Sequence, residues 1–238
     1  MSSATESALV IEGISADIEA DLQDAITDFR QSGLDCKFHY RQPVPQAALE
    51  WFMATAVLIW LGDKYFGSIF EEMGKDHYQL LKQGLRALYD KTLGPNASIK
   101  CVIRQVNGKI RPDVAFSGNL SYTYRAHEGW RIKLLFPLDV NFEQYERSCS
   151  RFSSLIWQYL HQPTNSPLND EIDSHAREGN PSLPLEVAAS MRPYVTLLIF
   201  WDDATQAFRV ADPVASSRTS SLVSWPLGQE RSQETPFE

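Results

Sequence analysis

Ten of the eleven residues in Trp51–Leu61 (WFMATAVLIWL) are apolar. Such a run has to leave water, so the chain must bury it in a bilayer, in its own core or against a partner. A membrane-spanning helix needs about 20 mainly apolar residues, whereas Glu50 precedes this run and Gly62-Asp63-Lys64 follows it. The run is too short to span, and a segment resting on a membrane is kept only as a third reading. A helix that is apolar on all sides is normally buried on all sides, and Ala54, Thr55 and Ala56 allow another element to come close. The sequence therefore predicts a core helix over Trp51–Leu61. A buried strand over Ala56–Trp60 is the second reading, because that stretch is β-branched and aromatic.

A chain of 238 residues, 43% of them hydrophobic, can build a core around this run without metal or disulfide staples. The formal net charge of -8 argues against a nucleic-acid binder and for a protein partner with a basic surface. The N-terminus MSSATESALVIEG has no basic n-region and no long apolar h-region, so it does not read as a secretory signal and cytoplasm is the default. Cys36, Cys101 and Cys149 are far apart and odd in number, and read as buried thiols. Nothing in the sequence sets the oligomeric state.

Leu9-Val10-Ile11 begins a short strand, after which Ser15 stands ready to cap a helix through about Gln31. Ile18, Leu22, Ala25, Ile26 and Phe29 make its apolar stripe. Gly33 stops it, and Leu34, Cys36, Phe38 and Tyr40 alternate with polar residues as a half-buried strand does. This is a β-α-β opening. Beyond the apolar run, Ser68 and Glu71 have capping-box spacing. Phe70, Met73, His77, Leu80, Leu81, Leu85 and Leu88 follow on one face of a helix ended by Gly94-Pro95. Gly74 and Gly84 inside it point to close approach of another element. Ile99, Cys101 and Ile103 alternate before Asn107-Gly108, a hairpin pattern. Leu120–Arg125 and Trp130–Phe136 form a second hairpin through His127-Glu128-Gly129. Asn141 caps a helix to about His161, with Phe142, Tyr145, Cys149, Phe152, Ile156 and Tyr159 on one face.

The polar, proline-containing segment 163–184 reads as a linker or long loop. A short helix near 185–191 and a hairpin with strands near 194–201 and 207–210 complete a 185–212 unit docked on the main domain, 8–162. Residues 213–238 read as a mostly flexible tail. The fold class is α+β: a mixed or antiparallel sheet with a β-α-β opening, hairpins and three to four packed helices.

The passage FGSIFEEMGKDHYQLLKQGLRALYD, with the apolar run before it, resembles a segment of small bacterial conflict-system accessory proteins, namely effector-associated modules and immunity proteins. The resemblance covers Trp51 to Asp90 and implies a non-catalytic accessory role. It carries over no functional residue.

The chain has no GxxxxGK[ST] loop, GxGxxG turn, GxSxG elbow, HExxH helix or CxxC pair. No cofactor is implied and no metal ligand set is assigned. Glu71, Glu72, Asp76 and His77 on one helix read as capping and surface acids with a core histidine, rather than as a cation site. Asp170, Glu171, Asp173, His175 and Glu178 read as solvated loop charge. A metal-dependent enzyme built on such carboxylates and histidines is the alternative, separable by metal analysis of a protein substituted at Asp173 and His175. The most suggestive pattern is Asp17, Asp21, Asp24 and Asp28, an acidic line along the first helix at spacings of four, three and four. Like charges at i,i+4 oppose helix formation by about 0.2–0.5 kcal/mol per pair. A charged helix face ordinarily points at water, and that is the plain reading; the sharper one is a docking surface for a basic toxin or effector, where complementary charge speeds encounter and rejects acidic surfaces.

Overall fold

The computed structural model describes residues 8–41, 55–66, 75–101, 115–126, 130–177, 196–219 and 221–228. In chain order its strands are β1 (Leu9–Gly13), β2 (Cys36–Tyr40), β3 (Val57–Leu61), β4 (Leu120–Arg125), β5 (Arg131–Leu134), β6 (Thr196–Asp202), β7 (Ala207–Ala211) and β8 (Ser224–Pro226). They form one mixed sheet in the order β2-β1-β3-β4-β5-β6-β7-β8. The β1–β2, β3–β4 and β5–β6 pairs are parallel, and the other pairs antiparallel. The helices are α1 (Asp17–Asp21), α2 (Gln23–Gln31), α3 (Lys75–Thr92), α4 (Phe142–His161), α5 (Pro167–Arg177) and α6 (Pro213–Thr219). The α+β class with a mixed sheet and a β-α-β opening is what the structure has.

Strand alternation divides the side chains between two faces. Ile11, Ile59, Tyr122, Leu134, Ile199 and Val210 stand in register across six strands on the first face. The apolar sides of the helices pack there: Leu22, Ile26 and Phe29, then Leu81 and Leu88, then Tyr145, Phe152 and Ile156, then Leu168 and Ile172. Tyr122 and Tyr145 share a buried hydroxyl hydrogen bond of 2.8 Å across this layer. Gly84 lets α3 come down on α2, because a Cβ there would stand 2.8 Å from the Phe29 ring. Gly33 takes φ +90° where α2 turns into β2, a conformation that suits glycine.

The segment that opened the sequence reading corrects the core-helix expectation. In its described part, residues 55–61, Val57–Leu61 is strand β3, between β1 and β4. A strand with neighbours on both sides and both faces covered reads as a continuous apolar run. Four of its five residues are buried. Residues 63–66 turn into helix directly after Gly62.

Other expectations change too. The first helix is two, because the backbone at Leu22 leaves helical geometry (φ −99°, ψ 6°) between α1 and α2. Ser15 accepts a hydrogen bond from the Asp17 amide at 3.3 Å, but Ala16 holds the cap position. Residues 99–101 are not strand: the Cys101 amide donates to the Asn119 side chain at 2.7 Å instead. His77 is exposed rather than part of the apolar face. The expected linker contains α5, whose Leu168 and Ile172 insert into the core, and the expected flexible tail contains α6 and β8. The hairpin β6–β7 continues the sheet, with β6 parallel to β5. The Ser68–Glu71 cap, Gly74, the Asn107-Gly108 turn, the His127–Gly129 turn and the 185–191 helix lie outside the described residues.

Candidate functional site

The four aspartates sit on the flank of α1 and α2, beside the buried stripe of Ile18, Leu22, Ala25, Ile26 and Phe29. Asp17 and Asp24 are exposed, and Asp21 and Asp28 are half-buried. Asp21 accepts a hydrogen bond from the Ser98 hydroxyl at 3.2 Å. Burial, and then the neighbouring Asp24 carboxylate, push the Asp28 carboxyl above its ordinary value. The nearest cation in sequence, Arg30, does not relieve them: its Nε donates to the Cys36 carbonyl at 3.0 Å. No described lysine or arginine forms an ion pair with any of the four. The line is broken into two helices at Leu22, and among the described residues no ion pair balances it.

The second face of the sheet holds a cluster that sequence reasoning missed. Register places Trp60, Thr123 and Lys133 side by side on β3, β4 and β5, and Arg125, Arg131 and Thr196 side by side in the next row on β4, β5 and β6. Lys133 is only 4% exposed, and its Nζ donates to Thr55 Oγ1 at 2.8 Å; the Ser121 hydroxyl donates to the same oxygen at 3.1 Å. Burial, and then the charge of Arg41, lower the Lys133 ammonium to about 7. The guanidinium carbons of Arg125 and Arg131 lie 5.6 and 5.4 Å from the centroid of the Trp60 ring. Three of the four buried side-chain polar atoms that find no hydrogen-bond partner among the described residues belong here: Trp60 Nε1, Thr123 Oγ1 and Thr196 Oγ1. In sequence, Ser121, Thr123, Arg125, Arg131 and Lys133 look like the solvated side of an amphipathic hairpin. Nothing local signals that most of them are buried.

Between α3 and α4 a pocket of about 230 Å³ is lined by Tyr65, Leu81, Leu85, Cys149 and Ser153, with the 2.9 Å Lys82–Glu146 pair at its rim. Burial pushes the Cys149 thiol far up, and pushes Cys36 up to about 12. Neither is a ready nucleophile, since the thiolate is the reactive form. Of the acids expected in a loop, Glu171 is buried on α5, where Trp225 Nε1 donates to it at 3.0 Å and His175 Nε2 lies 3.3 Å away. Burial alone would raise its carboxyl; the hydrogen bonds from His175 and Trp225 outweigh this and hold it below the usual value. Among the described residues no three His, Cys, Asp or Glu side chains converge as a metal ligand set. No described helix is long and apolar enough to cross a membrane. Comparison of the chain with family models, curated proteins and solved structures finds no match.

Proposed function

We propose that this is a non-catalytic binding protein whose α1–α2 face docks a protein partner with a basic surface, in an accessory role such as immunity or regulation in a bacterial conflict system. One observation carries the reading. Four aspartates line this face while Arg30 donates to the Cys36 carbonyl, so among the described residues no cation pairs with them, and Asp24 raises the Asp28 carboxyl. A cationic partner supplies the pairing, and gains encounter rate and selectivity from the same field. The conflict-system setting rests on the resemblance of the Trp51–Asp90 segment, and the same acidic face disfavours nucleic acid.

The test compares affinity purification from native cells using the wild-type chain and D17N/D21N/D24N/D28N, read by mass spectrometry. Asparagine keeps size and an acceptor oxygen while removing the charge. A basic protein retained by the wild type and lost by the variant is the expected result. Retention of the same proteins by both would remove the acidic face from the account.

A further inference from the structure

We infer that the pocket between α3 and α4 binds a small neutral aromatic molecule that carries a hydrogen-bond donor, of the class of phenols and indoles. This goes beyond the proposed protein docking and uses none of the four aspartates. Size sets the first limit. The pocket holds about 230 Å³, and an apolar cavity of ~150 Å³ stays dry and takes up benzene. A single ring with a substituent, or a fused pair of rings, therefore fits. Tyr65, Leu81 and Cys149 are buried, Leu85 is half-buried and Tyr78 is exposed, so the lining runs from the core to the surface and gives a ligand a way in.

Three features of the lining set the chemistry. The charged side chains among the described lining residues are Lys82 and Glu146, and they pair with each other at 2.9 Å. No uncompensated charge is left there to hold an ion, which selects a neutral molecule. The rings of Tyr65 and Tyr78 and the sulfur of Cys149 share the lining with Leu81 and Leu85. An aromatic ring gains edge-to-face and sulfur contacts against such walls beyond what it gains from burial. The buried polar group is Ser153, whose hydroxyl donates to the Cys149 carbonyl at 3.0 Å. A hydroxyl has one proton, so with that proton engaged Ser153 can only accept from a ligand. The complementary group is an O–H or N–H on the ring; a carboxylate, which lacks one, has nothing to offer it.

The experiment is calorimetric titration of the full chain with phenol and indole, with toluene as a ring without a donor and benzoate as a charged ring. Phenol and indole are expected to bind more tightly than toluene, and benzoate not to bind. S153A keeps a good helix former on α4 and removes the acceptor. It should weaken phenol and indole about threefold to tenfold, the loss of one neutral hydrogen bond, and leave toluene unchanged, whereas a general loosening of the pocket would weaken all three. S150W brings a large ring to the pocket from an exposed position of α4, and should weaken phenol, indole and toluene alike by about tenfold or more, since burying a side chain of that size is worth about 1.5–3 kcal/mol. Absence of binding by both phenol and indole overturns the inference. Toluene bound as tightly as phenol, or binding that S150W leaves unaltered, overturns it as well.

Discussion

Lys133 puts an ammonium where water cannot reach it, and the consequence is a pH dependence of stability. The folded chain releases this proton near 7, while an unfolded chain keeps it to about 10.5. Between these values the unfolded state binds more protons, so stability rises with pH; below about 7 both states are protonated and the penalty is at its full size. The groups facing it include the permanently charged Arg41, and Cys101, whose thiol is itself raised by burial. Comparing K133M with the wild type therefore isolates the lysine. Urea midpoints should rise less between pH 7 and 10 in the variant than in the wild type; equal rises would contradict the assignment. In the sequence Lys133 is the polar member of an Arg-Ile-Lys-Leu alternation, and its side of the strand was readable. Its burial was not, because alternation tells which residues share a face but says nothing of what covers that face.

At the level of elements, termini and apolar stripes were the most legible features. Asn141 caps α4 as expected, with reciprocal 3.0 Å hydrogen bonds to Gln144 that close a capping box. Asn141→Ala should cost about 1 kcal/mol in chemical denaturation; no loss would mean that the cap is energetically idle. Gly84 was likewise readable as a point of contact. Alanine gains about 1 kcal/mol of helix propensity there, but its Cβ would meet the Phe29 ring at 2.8 Å. Overpacking costs about 1–3 kcal/mol, so G84A should lower the denaturation midpoint, and a raised midpoint would show that α2 and α3 can separate freely. The strand β3 was misread because an apolar run flanked by two strands has the same composition as an all-round apolar helix. Its β-branched Val57 and Ile59, spaced by two, are the residues that favour the strand, and pairing with β1 and β4 settles it. α5 was hidden for another reason: among its described side chains Leu168 and Ile172, four residues apart, are the buried apolar anchors within a polar segment.

Over the whole molecule, charge and burial separate two kinds of surface. The acidic line runs over helices on one side of the sheet, and the cationic cluster lies on the other. Of the candidate sites, the acidic one could be named from the sequence, since four aspartates at helical spacing can be counted in a string, but the break at Leu22 could not. The cationic one was invisible, since it joins residues of β3, β4, β5 and β6 that only pairing brings together. A docking face of this kind predicts an affinity that falls with ionic strength, because exposed charges more than about 8–10 Å apart are screened at physiological salt. The most direct measurement is the affinity of the basic partner for the wild type and for D17N/D21N/D24N/D28N across a series of salt concentrations. Binding to the wild type should weaken steeply with salt, while the variant should bind weakly throughout and with a flatter dependence. Equal affinities and equal slopes would contradict the proposed function.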